Sequence, residues 1–169
     1  MKVLAPLLAL LIAGCSATTR LDAAGDVHDL LVSVRDNDQK AFERHIDRDA
    51  LRRQIEARMV REARSSPGAL RSIGIALAQP GAAMAETMLL QPRVLRMAAE
   101  HYGYTPDQPI PGRVAIAGSL KRLDDGRVCA TRTKGGECLL TFTERNGTWR
   151  LTGFEGELSD LRAALSTAK

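Results

Sequence analysis

The segment Tyr102 to Arg113 divides the chain into two halves with different hydrophobic periods, and this constrains the fold more than any motif does. It contains three prolines and two glycines, residues that favour turns over helices and ladders, so it reads as an extended connector. On its N-terminal side, over 22–101, apolar residues recur at three- and four-residue steps. On its C-terminal side, over 114–154, they alternate. Helices followed by strands predict an α+β domain, with N-terminal helices packed on one face of a C-terminal antiparallel β-meander.

In the helical half, Val27, Leu30, Leu31 and Val34 form one face of a helix over Asp22 to Arg35. Asn37-Asp38 ends it, and Asp38 is placed to cap a short helix over Gln39 to Ile46, with Phe42 and Ile46 facing the same way. Asp49 is the expected N-cap of a third helix. Its stripe is Leu51, Ile55, Met59 and Ala63, and its other faces carry Arg52, Arg53, Glu56, Arg58, Arg61 and Glu62 as solvated charge. After the break at Ser65-Ser66-Pro67-Gly68, residues Ala69 to Leu90 shift to Ala, Gly, Ile, Leu and Met, interrupted in charge by Arg71 and Glu86. Pro80-Gly81 splits this stretch, which makes it a poor membrane span and leaves open one kinked helix or two. One reading is a pair of buried helices brought close by small residues. The other is an apolar groove lined by Ile73, Leu77, Met84, Met88 and Leu89, with flexible methionines accommodating a lipid or peptide. Pro92 opens a further helix to about His101.

In the strand half, Val114 to Leu120 reads as a strand, Asp125-Gly126 as a turn, and Val128 to Thr131 and Leu139 to Thr143 as further strands. Asn146-Gly147 is a two-residue hairpin signal. It pairs Phe142 with Leu151 and puts Cys138, Leu140, Phe142, Trp149 and Leu151 on one face. A short amphipathic helix, 157–166, closes the chain. Cys129 and Cys138 are expected to form one disulfide across the hairpin, a staple contributing on the order of 2 to 3 kcal/mol. Their spacing lacks the adjacent-thiol geometry of a redox motif, and two sulfurs alone make no zinc site.

The first fifteen residues carry an address. Lys2, an apolar run too short to cross a bilayer, and Ile12-Ala13-Gly14-Cys15 resemble the lipobox of bacterial lipoproteins. The resemblance implies a signal peptide over 1–14, lipidation (palmitate) on Cys15, and a tether over 15–21 that needs no structure of its own. Ser16, where proteins held in the inner membrane often carry Asp, resembles the outer-membrane class. The expected location is the periplasmic face of the outer membrane. The remaining 22–169 is one domain by length. The formal net charge of +4 is spread among interspersed acids and bases, which gives no footprint for nucleic acid.

The mature chain also resembles a group of bacterial envelope proteins, the domain of unknown function 2939 family. The likeness is carried by Leu30-Leu31, Val34-Arg35-Asp36-Asn37-Asp38, Phe42, His45-Ile46-Asp47, Leu51-Arg52, Leu90-Gln91-Pro92 and Gly147-Thr148-Trp149-Arg150-Leu151. It spans most of 25–155 and implies an architecture without a mechanism. The layout is also similar to cone-shaped folds related to nuclear transport factor two, in which a curved sheet and helices enclose a pocket.

The sequence holds little overt chemistry. His28, His45 and His101 are too far apart in sequence for a local metal motif and read as surface or partly buried helix residues. Ser119 lacks the glycine pattern of a nucleophile elbow. Asp124-Asp125-Gly126 lacks the other oxygens of a calcium loop, and Gly135-Gly136 has no following helix to cradle phosphate. Catalytic residues, metals and cofactors are therefore not expected. The sequence reads as a lipid-anchored, non-enzymatic envelope protein that binds a hydrophobic ligand or a protein partner. The alternative is a scaffold lipoprotein with a filled core. An envelope-polymer hydrolase would need one of the histidines to meet carboxylates in a cleft.

Overall fold

The computed structural model describes residues 4–101, 104–131, 133 and 135–155. Among the described residues six helices precede four strands: α1 (Leu4–Arg35), α2 (Gln39–Arg44), α3 (Arg48–Ser65), α4 (Ala69–Leu89), α5 (Pro92–His101), α6 (Arg113–Ser119), β1 (Leu120–Arg122), β2 (Val128–Thr131), β3 (Cys138–Arg145) and β4 (Thr148–Phe154). The strands form one antiparallel sheet in the order β1-β2-β3-β4. The expected α+β architecture is the one present. The expected helix over 157–166 lies outside the described residues.

The hairpin follows its local signal. Asn146 and Gly147 both take positive φ, 53° and 76°, the left-handed geometry that a two-residue turn needs to match the strand twist. Phe142 pairs with Leu151, Glu144 with Trp149 and Arg145 with Thr148. This places Phe142, Trp149 and Leu151 in the core, where they meet Leu30, Phe42, Leu51 and Val128, with Leu140 packed against them. Cys129 and Cys138 are joined by a disulfide between β2 and β3.

Several expectations are corrected. The tether over 15–21 is helical, because α1 runs unbroken from Leu4 to Arg35. No proline or glycine interrupts residues 15–24, and Ala23 and Ala24 are fully buried. Val114 to Ser119 is α6, not a strand: Ile116, Ala117 and Leu120 turn inward at helical spacing while Val114 is 79% exposed. An alternating strand would have put Val114 and Ile116 on the same side. The N-cap of α3 is Asp47, whose carboxylate accepts from Ala50 N–H at 2.9 Å. Asp49 sits in the first turn and pairs with Arg52. Asp38 caps α2 as expected, accepting from Ala41 N–H, but α2 stops at Arg44. Ile46 is instead held beside Leu151 by a parallel bridge.

The apolar stretch is one helix, α4, with Pro80 inside it. Packing against α3 on both sides of the proline carries it through: Gly74 lies against Ala63, Gly81 against Met59, and Ala78 and Ala82 are buried. The reading of two buried helices is thus overturned. Large apolar side chains of α4 face outward, because α3 is narrow enough to cover only the small-residue side.

Candidate functional site

Two features stand out, one polar and one apolar. The polar one starts from the spacing of acids on α1. Asp22, Asp26 and Asp29 follow one another at four- and three-residue steps, so they form a stripe along one edge of the helix, beside the core stripe of Ala23, Val27 and Leu30. Trp149 on β4 engages the first two. Its indole N–H donates to Asp22 Oδ2 and its backbone N–H to Asp26 Oδ2, each at 2.8 Å.

The second oxygen of Asp26 looks elsewhere. Asp26 Oδ1 lies 3.6 Å from Nδ1 of His45. His45 occupies the C-cap of α2, its N–H donating to Phe42 O, while its carbonyl accepts from Leu151 N–H at 2.8 Å. Its residue is only 6% exposed, and its Nδ1 has no hydrogen-bond partner among the described residues. A buried ring nitrogen left this way is uncommon, because desolvation penalises it without return. Asp29, one turn further along α1, adds a third group. Ligand atoms of Asp26, Asp29 and His45 all lie within 4.8 Å of one another.

These side chains border a cleft of about 360 Å³ that Asp36, Asp38 and Arg44 also line. Asp36 is held below the usual carboxylate range by a hydrogen bond from Arg35 and by that cation's charge, so it stays ionised. Asp38 is engaged as the α2 cap. Ser33, also in the wall, donates its hydroxyl to Leu30 O at 2.6 Å, so its proton is engaged by the backbone rather than by a neighbouring base.

The histidine expectations divide accordingly. His28 is half-exposed, with Nδ1 3.4 Å from Asp29 Oδ1; His101 ends α5; His45 is buried among carboxylates. Local spacing missed this meeting because residues 26, 45 and 149 come together only through tertiary packing. The four-three acid stripe was its one sequence signal. Ser119 donates to Ile116 O, and Asp125-Gly126 forms the β1–β2 turn, with Gly126 at φ 86° and Asp125 accepting from Arg127 N–H.

The apolar feature is the outer face of α4. Ile73, Leu77, Met84 and Met88 share one stripe and are 54%, 57%, 68% and 62% exposed, with Leu70 beside them. Leu89 is half-buried. The residues expected to line a groove therefore form an open, convex surface. Its acidic residue, Glu86, is turned away to Arg48 at 3.0 Å, tying the end of α4 to the start of α3. Among the described residues no single helix is long and apolar enough to cross a membrane. Helices α4 and α5 meet that test only as a pair bent by 78°. Cys15 lies within α1.

Comparison with known proteins adds one match. A family model described as a protein of unknown function, DUF2939, matches residues 8–99. That range takes in most of α1 through most of α5, and so contains Asp26, Asp29, His45 and the α4 face while leaving out the sheet. No curated protein and no solved structure matches.

Proposed function

The chain belongs to the DUF2939 family, and from that premise we propose that it is a lipid-anchored envelope protein, without catalytic activity, that binds a protein partner through the outer face of α4. The anchor rests on the lipobox-like run ending at Cys15. Binding rests on one observation, the stripe of Ile73, Leu77, Met84 and Met88 left open to water on a helix with almost no charge. Clustered exposed apolar side chains of this kind mark interaction surfaces, and methionines adapt to a partner's contour.

A protein suits this face better than a small hydrophobic ligand. Pockets for such ligands are concave and enclose most of the molecule, whereas this stripe is convex. A helix lying in a bilayer interface would carry several cations on its polar side; α4 carries Arg71 alone. The filled core expected of a scaffold lipoprotein fits the same reading, since Phe142, Trp149 and Leu151 occupy the sheet's inner face.

The test is photo-crosslinking in cells that make the full-length protein, with the reactive side chain placed at Leu77, at Met84, or at the control Val114 on α6. A discrete protein adduct is expected from both α4 positions and not from Val114. It should vanish when Cys15→Ser releases the protein from membranes. Lipid adducts alone, or a Cys15→Ser protein still sedimenting with membranes, would overturn the partner and the anchor respectively.

A further inference from the structure

We propose that Asp26, Asp29 and His45 bind one divalent transition-metal ion, with Zn²⁺ the best fit. The first ground is the unpartnered nitrogen. His45 is more than nine-tenths buried, and its Nδ1 points at Asp26 Oδ1 without a hydrogen bond. A direct imidazole–carboxylate hydrogen bond needs about 3.2 Å or less, and the observed 3.6 Å is too long for it. It is close to the spacing of two ligands on one ion. With Zn–N and Zn–O bonds of about 2.0 to 2.2 Å, neighbouring ligand atoms of a tetrahedral site stand roughly 3.4 Å apart.

The second ground is what holds the ligands. Asp26 is oriented from behind by the Trp149 N–H on its other oxygen, the outer-shell contact that fixes a metal-binding carboxylate. His45 is fixed through its backbone by Phe42 O and Leu151 N–H. Two of the three ligands are thus set by the junction of α1, α2 and β4 before any ion arrives. Asp29, more exposed, closes the site from the solvent side, its contact being His28.

Neighbouring groups leave this trio as the ligands. Asp36 is bonded to Arg35 and Asp38 to the first turn of α2, while Arg44 supplies a cation to the rim. One imidazole and two carboxylates disfavour Mg²⁺ and Ca²⁺, which take oxygen ligands. Three protein ligands facing an open cleft leave a fourth position for water or a partner's side chain.

The experiment is calorimetric titration of full-length protein, purified in detergent and stripped with EDTA, using ZnCl₂, MgCl₂ and CaCl₂ in turn. One Zn²⁺ per chain is expected, bound at least about 100-fold more tightly than Mg²⁺ or Ca²⁺. His45→Gln and Asp26→Asn should each weaken it by about 100-fold or more, beyond the loss typical of an outer-shell change. His28→Gln should change it only a few-fold. Should the buried variants fail to fold, a His28→Gln/His101→Gln protein retains His45 as its single imidazole. Zn²⁺ must then shift that ring's nitrogen resonance. No Zn²⁺ binding by the wild-type chain, binding that survives both His45→Gln and Asp26→Asn, or an unmoved ring resonance would overturn the proposal and leave His45 and Asp26 as a plain packing contact.

Discussion

Asp38 and Asp47 do the same work at successive helix starts, each giving a carboxylate oxygen to an N–H three residues on at 2.9 Å. Ser, Thr, Asn and Asp hold such positions because the first turn's donors have no partner within the helix. Asp38→Ala and Asp47→Ala should each cost about 1 kcal/mol in urea unfolding, and Asp49→Ala less, since Asp49 is not the cap. That ordering separates the observed boundary from the one the sequence suggested. Asp38 was legible because Asn37, at φ 54°, ends the preceding helix within its own short loop. The α3 start was misplaced by two residues because β4 sets it: Asp47 N–H donates to Leu151 O, a partner far along the chain. His45 was illegible for the same reason.

Among the elements, the α3/α4 seam brings two helices together through glycines and alanines. A Cβ built on Gly74 would stand 2.8 Å from the Cβ of Ala63, and one on Gly81 would stand 2.6 Å from the terminal methyl of Met59. The first clash is against a short side chain fixed to the backbone. The second is against the free end of a flexible one. Gly74→Ala should therefore lower the melting temperature despite alanine's better helix propensity of about 1 kcal/mol. Gly81→Ala should be near neutral or stabilising. Ala63→Gly added to Gly74→Ala should recover part of the loss in a double-mutant cycle. Packing of residues 69–90 through small side chains was one of the two readings open in the sequence. The sequence did not show that α3 would cover only that side, because the width of cover depends on the partner. The strand assigned to Val114 to Leu120 failed on length: over so few residues, alternation and helical spacing cannot be told apart until α1 takes up Ile116 and Ala117.

At the scale of the whole molecule, β4 is the strip to which the helices are fastened. Gln54 on α3 clasps Phe154 at both backbone groups, donating to its carbonyl at 2.7 Å and accepting from its N–H at 3.0 Å. Arg58 donates to the same carbonyl and lies 4.6 Å over the Phe154 ring. Trp149 fastens α1 in the same way at the other end of the strand. Gln54→Ala strips the Phe154 N–H of its acceptor, while Arg58 still serves the carbonyl, and should cost about 1 to 2 kcal/mol. Gln54→Glu restores the acceptor alone and should fall between, both read by chemical denaturation. The division into helices and then strands was legible from periodicity. The fastening was not, since Gln54 and Phe154 stand a hundred positions apart.

Trp149 is the chain's one tryptophan, it is almost wholly buried, and it touches the cleft through Asp26 and the helix edge through Asp22. An indole in that setting emits at short wavelength, and it reddens when water reaches it. The protein thus carries its single indole fluorophore at the seam where α1, the sheet and the proposed ion meet. Its colour reports whether the seam is closed, and its brightness responds to charge arriving one carboxylate away. Ligation at the cleft and undocking of α1 would register as separate optical signals from one unlabelled residue.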